Sequence, residues 1–250
     1  MPDATAANSL AAATVNAANP LAAATVAGAR ADPWSEFAFA LDHVVVASGS
    51  LGAGSAWLEE RLGVALQPGG RHLGWGTHNR LLNLEGGTYL ELIAPDPKQP
   101  PPAAPRPFGL DRPDLRARIC QRPRLIHYVL RTPRLQEALA RIGYDPGPVS
   151  AMARGDLRWR ITLPASGDPA AGGLLPTLIQ WDIELATRHP ASVLPMRAVR
   201  LQTLRVAAPP AVAALLAGLD ADPRFRLGAA EGGGGLRAEL ATPNGLVVLD

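Results

Sequence analysis

The stretch FAFALDHVVVA, residues 37–47, decides how the rest of the chain is read. It alternates and is rich in β-branched residues, so it predicts a strand. GSAWLEERLG (54–63) follows as a helix: Ser55 can cap it, Trp57, Leu58 and Leu62 share a face, and Gly63 suits a left-handed C-terminal residue. After a Gly-rich loop come two strands, THNRLLNL (77–84) and TYLELIA (88–94), joined by the turn EGG (85–87).

The same rhythm then restarts. RLIHYVLR (124–131) reads as a strand. TPRLQEALARIG (132–143) reads as a helix with Thr132 as N-cap, Pro133 at its first position and Gly143 as stop. LRWRITLP (157–164) and LPTLIQWD (175–182) follow as strands. A weaker third copy closes the chain, with strand VRLQTLRVA (199–207), helix PPAVAALLAGL (209–219) and a hairpin of LRAELAT and GLVVLD around Pro243, Asn244 and Gly245. Repeated strand–helix–strand units with hairpins predict an α+β fold with antiparallel or mixed sheets, not a doubly wound one.

Between the first two copies lies PDPKQPPPAAPRPFGLDRPD (95–114), a Pro-rich linker that cannot enter a sheet interior and that also suits a lid. Residues 1–35 repeat AANSLAAATV as AANPLAAATV and predict a disordered Ala-rich tail. The first cation is Arg30, so the tail does not read as a signal peptide, and no apolar run is long enough to span a membrane. The expected location is cytoplasmic. The modules fall at about 37–98, 122–190 and 198–250, within one domain over 36–250.

Hydrophobic residues are 47% and charged residues 18% of the 250, which fits a globular chain. The net charge is +2, from 24 Lys+Arg against 22 Asp+Glu, with no basic run, so nucleic acid is not an expected partner. Cys120 is the single cysteine and allows no internal disulfide. The glycine run 232–235 lacks the Lys-Ser/Thr of a phosphate loop.

Strand alternation places His43 with Phe39, Leu41 and Val45, and Glu91 with Tyr89 and Ile93. His127 lies between Leu125 and Val129, and Gln180 between Leu178 and Asp182. Each copy therefore has an imidazole in its first strand and an oxygen donor in its last. An ionisable group on an apolar strand face is costly unless paired or bound to metal. Two readings stand side by side: a divalent centre of His43, Glu91, His127 and Gln180, with Asp182 as alternate, or core histidines with Glu91 paired to an arginine.

The segments LDHVVV, WLEERLG, HLGWGTHNRLLNL, TYLELIAPD, LIHYVLRT and TLIQWD resemble the glyoxalase-like domain of the vicinal-oxygen-chelate superfamily (glyoxalase, bleomycin resistance and dioxygenase proteins), over roughly Phe37 to Val206. The resemblance implies βαβββ modules that form cupped mixed sheets with helices packed outside. It places metal ligands at His43, Glu91, His127 and Gln180, where the family commonly has Glu in place of Gln180. The metal would be Mn, Fe, Zn or Ni, or absent in a member that only binds its ligand. The implied function is a metal-dependent lyase, isomerase or dioxygenase acting on a small oxygen-rich substrate, with Glu91 as catalytic residue. The alternative is non-catalytic sequestration of a small molecule. Trp75, Thr77, Asn79, Arg80, Trp181 and His189 are the expected substrate contacts, with Arg80 suited to a carboxylate or phosphate. An odd third module leaves room for a homodimer.

Overall fold

In the computed structural model the first module begins with β1 (Ala40–Ala47), α1 (Leu51–Leu62), β2 (Gln67–His72), β3 (Thr77–Asn83) and β4 (Tyr89–Pro95). The structure describes residues 39–217, 219, 222–230 and 234–250, so the Ala-rich tail and the first half of the glycine run lie outside the described residues. The connection carries a short 3-10 turn at Pro107–Gly109 and helix α2 (Pro113–Gln121). The second module is β5 (Arg124–Arg131), α3 (Leu135–Leu139), β6 (Val149–Arg154), β7 (Leu157–Thr162) and β8 (Thr177–Trp181). Short helices α4 (Leu185–Arg188) and α5 (Pro190–Val193) lead to β9 (Arg200–Ala208), α6 (Pro210–Ala217), β10 (Phe225–Ala229), β11 (Gly235–Thr242) and β12 (Gly245–Leu249). The expected α+β class with repeated βαβββ modules is what is found.

Both modules join in one curved sheet of order β2-β3-β4-β1-β5-β8-β7-β6. In each half the first strand pairs in parallel with the last, β1 with β4 and β5 with β8. The two first strands meet antiparallel at the centre. The closing unit keeps the element order of a module but not its pairing. Its sheet runs β10-β9-β11-β12, so its first strand pairs with the second and third strands rather than with the last. The expected hairpin is present, with Thr242 opposite Gly245.

A first buried cluster joins the convex face of the large sheet to α1 and the four-stranded sheet, through Leu41, Val44, Val46, Tyr128, Leu204 and Leu240 among others. A second cluster covers part of the concave face, with Val45, Ala47, Ile93, Val129, Ile161 and Ile179. The 3-10 turn of the Pro-rich connection packs onto this concave face through Phe108.

Local details depart from the sequence expectations. Ser50, not Ser55, caps α1, its side chain accepting from the Ala53 amide at 3.2 Å, while Ser55 is buried inside the helix. Gly63 ends that helix in the left-handed region as expected, at φ 72°. The second helix is only Leu135–Leu139. It starts after Arg134, and Thr132 does not cap it. The Gly-rich loop contains β2, an edge strand that accommodates Pro68 through a register shift before Arg71.

Candidate active site

The concave face is a cup with about 650 Å³ of empty space, counted to its open mouth. Four strands of the first half place one polar side chain each along its floor. These are His72 on β2, Asn79 on β3, Glu91 on β4 and His43 on β1. Val45 is opposite Glu91 in the parallel β1–β4 pair, so His43 and Glu91 are diagonal neighbours on one face.

A bulge in β1 gives this floor its chemistry. The register shifts between Leu41 and His43. Leu41 packs on the convex side and Val45 on the concave side, so the plain alternation that groups Leu41 with His43 fails here. Asp42 and His43, adjacent in sequence, both reach the cup side. Asp42 accepts three hydrogen bonds: from His43 Nδ1 at 2.7 Å, Trp181 Nε1 at 2.9 Å and His189 Nε2 at 3.0 Å. His189 Nδ1 accepts from the Ala191 amide, so its proton is on Nε2.

With Nδ1 committed to Asp42, His43 turns Nε2 toward Glu91 Oε2, 3.5 Å away. Burial opposes charge on His43, but the hydrogen bonds to Asp42 and Glu91 outweigh it and raise its pKa from 6.5 to about 9. Burial likewise works against ionised Glu91, and the His43 contact overrides it, lowering the carboxyl to about 2. Burial also works against ionised Asp42, but the hydrogen bonds from His189 and His43 and the charge of His43 hold it ionised, well below the usual carboxylate range. The other oxygen of Glu91 accepts from Asn79 Nδ2 at 2.6 Å. Asn79 is itself oriented by the Gly70 amide, which donates to its Oδ1 at 2.7 Å. Gly69 makes this approach possible, since a Cβ there would lie 2.0 Å from Asn79 Oδ1. Tyr89 stacks on the His43 ring with centroids 4.6 Å apart.

The second half and the connection supply the walls. Trp159 and Trp181 pack 5.4 Å apart, and Phe108, Met152 and Ile161 complete an apolar rim. Phe108 holds φ 62°, an unfavourable conformation for an aromatic residue and one that recurs at ligand sites.

Of the four positions expected to hold a metal, His43 and Glu91 line the cup and His127 and Gln180 do not. His127 shares the face of the sheet that carries His43 and Glu91, opposite Val45, but is fully buried against Phe108, ring centroids 5.2 Å apart. Its Nδ1 is 3.1 Å from Gly173 O, and its Nε2 accepts from the Thr177 amide at 3.2 Å. Burial lowers its pKa to about 4, so it is neutral. Gln180 is on the opposite face of β8 from the cup-lining Ile179 and Trp181. Its Oε1 accepts from the Leu135 amide at 2.9 Å, capping α3 from outside. Asp182, the alternate, binds Arg160 at the surface at 2.8 Å. His72 is near Glu91, but the Asn79 amide is interposed, 3.3 Å from His72 Nε2. Among the described residues, no group of three or more His, Cys, Asp and Glu is arranged to hold a metal ion.

Of the expected substrate contacts, Trp75, Asn79 and Trp181 line the cup. Thr77 stands one step back and positions His72, its hydroxyl 2.9 Å from Nδ1. His189 is buried behind Asp42. Arg80 points outward, 4.0 Å from Glu59 of α1. Sequence reasoning missed Asp42, Tyr89, Phe108 and Arg154. The Asp-His pair inside an otherwise apolar strand was the available signal for the first.

A family model described as a glyoxalase-like domain matches residues 41–221. No curated protein matches the chain. Among solved structures, a hypothetical protein from Staphylococcus aureus aligns with TM-score 0.50 and 15% identity, covering 84% of each chain. A methylmalonyl-CoA epimerase from Mycobacterium tuberculosis aligns with TM-score 0.35 and 20% identity over 56% of this chain and 85% of that one. The Streptomyces coelicolor methylmalonyl-CoA epimerase gives TM-score 0.39 and 18% identity over 57% and 97%. Among the described residues, no helix is long and apolar enough to cross a membrane.

Proposed function

We propose, for a chain that belongs to the glyoxalase-like domain family, that the cup catalyses proton transfer next to a carbonyl group of a small molecule. The observation that carries this reading is the pair of Glu91 Oε2 and His43 Nε2, 3.5 Å apart, buried side by side and facing an apolar cavity. Glu91 is the base and removes a proton from the carbon beside the carbonyl. His43, protonated and fixed by Asp42, donates its Nε2–H to the carbonyl oxygen as negative charge develops there. Returning the proton from Glu91 to the same carbon gives exchange, and to the adjacent carbon of the enediol of a hydroxyketone gives an isomerisation.

The free site holds Glu91 ionised because His43 is next to it. When a carbonyl oxygen takes over the His43 N–H, that support weakens while burial remains. Glu91 then becomes a stronger base in the complex than in the free protein. Its second oxygen stays anchored by Asn79, which keeps Oε2 aimed at the substrate.

Of the four positions matched to metal ligands only His43 and Glu91 line the cup, and the proposed reaction is written with these side chains. The test is α-proton exchange in D₂O, followed by NMR, on a panel of small 2-oxo acids and hydroxyketones with EDTA-treated protein. Exchange in the parent and its loss in Glu91→Gln is the expected result. Exchange that appears only after Mn, Fe, Zn or Ni is added refutes the metal-free mechanism. Compounds that raise the melting temperature without exchanging assign the cup to sequestration, a reading favoured by the aromatic walls of Trp75, Phe108, Trp159 and Trp181.

A further inference from the structure

The cup continues past its mouth. A second depression, with about 840 Å³ of empty space, shares Leu81, Arg154 and Pro190 with the cup. Its remaining lining is Pro68, Leu157, Val193 and Leu194 together with Thr187 and Arg188, the last paired with Asp156 at 3.7 Å, and Val193 is 62% exposed. An apolar trough running out from a polar floor suits a ligand with an apolar tail.

Arg154 stands where the two spaces meet. Neighbouring and comparable arginines are matched within the chain: Arg160 by Asp182, Arg71 by Asp96, Arg106 by Asp111 and Arg188 by Asp156. Arg154 is half-buried and, among the described residues, has no hydrogen-bond or ion-pair partner. Its charge acts on His72 and Tyr89 of the cup, helping to hold the His72 imidazole below its ordinary range after burial. Gly70 gives its stem room, since a Cβ there would lie 2.6 Å from Arg154 Cδ. A guanidinium kept half out of water with no anion is poised for one from outside, and its planar fork fits a carboxylate. Arg80, which a sequence reading selects for this task, is turned away on the outer face.

The geometry points to a substrate class: small carboxylates with an unbranched apolar tail, the carboxylate on Arg154 and the tail in the trough lined by Pro68, Leu157, Val193 and Leu194. This assignment rests on the proton-transfer reading of the same cup and extends it to the part of the substrate that does not react. A 2-oxo acid bound this way would place the carbonyl beside its carboxylate in the cup that holds Glu91 and His43, with its tail leading outward.

The test is calorimetric binding to the full chain of a saturated carboxylate series from butanoate to dodecanoate, with octanol as the uncharged control. Octanoate is expected to bind at least tenfold tighter than octanol. Affinity should rise up to about fourfold for each methylene that enters the trough. Arg154→Gln should lower octanoate affinity at least tenfold, and Arg154→Lys by less. Circular dichroism and a melt confirm that each variant is folded. Equal binding of octanoate and octanol, affinity independent of chain length, or unchanged affinity in Arg154→Gln overturns the assignment. Glu91→Gln separates the two claims, because it should retain octanoate while losing proton exchange. Octanoate binding with no exchange anywhere in the panel refutes the chemistry alone. Exchange on uncharged carbonyl compounds without octanoate binding refutes the substrate class alone.

Discussion

Replacing His43 with Gln should remove a specific piece of the pH dependence of stability. In the fold, burial disfavours the imidazolium, yet Asp42 at 2.7 Å and Glu91 at 3.5 Å hold the His43 pKa at about 9 against 6.5. The folded chain therefore keeps this proton more tightly than the unfolded chain. The stabilisation is complete below pH 6.5 and is lost as pH rises to about 9. At 1.36 kcal/mol per pH unit the gap is worth roughly 3 kcal/mol. For a chain of this size, with about 2–4 °C per kcal/mol, the melting temperature should fall by about 6–12 °C across that window. The other four histidines do not obscure it. His72, His78, His127 and His189 are all held below their ordinary range, so their contributions change below pH 6.5. The assay is a set of melts from pH 6 to 9.5 on the parent and His43→Gln. The variant should be less stable at pH 6.5, nearly flat through the window, and close to the parent at its upper end. A flat parent curve, or the same fall in the variant, refutes the account of His43 as a cation held between two carboxylates.

Asp42→Asn keeps the shape but removes the charge that three donors share, and should cost about 3–5 kcal/mol in chemical denaturation while moving the His43 transition toward pH 6.5. Gln180→Ala removes the outside cap of α3 and should cost about 1 kcal/mol with octanoate affinity unchanged; a drop in affinity would place Gln180 in the cup instead. His127→Leu leaves Gly173 O and the Thr177 amide without their partner and should cost roughly 2–3 kcal/mol by urea titration, with no change in bound metal measured by mass spectrometry.

The module rhythm was legible because each unit opens on a strand rich in apolar residues, and the first helix ends on a strong stop, Gly63. Residues 37–47 and 124–131 therefore announce the two halves of the sheet. The strand content of QPGGRH was not legible, because Pro68 and two glycines read as loop unless the edge position and the tight fit of Gly69 against Asn79 are known. The site was half legible for a similar reason. Glu91 and Asn79 follow plain alternation, and His43 reaches the cup. Leu41 and Asp42 do not follow the pattern, because alternation alone does not locate a one-residue bulge. Gln180 and His127 show the opposite failure. Each has a residue type that suits a metal, and each is bound within the chain, to the Leu135 amide and to Gly173 and Thr177. Which backbone groups need a partner depends on where helices and loops end, and that is a property of the packed molecule.

The antiparallel meeting of β1 and β5 has a consequence for how this architecture can diverge. Two separate copies of one module would have to carry every substitution twice, once on each side of the axis. Joined in a single polypeptide, the halves are released from that constraint. His43 and His127 occupy corresponding first strands, yet one lines the cup and the other ties Gly173 and Thr177 to the sheet. The first half has gathered the carboxylates, and the second supplies indoles and one guanidinium. A ligand in this cup meets two unlike walls, so its two ends face different chemistry.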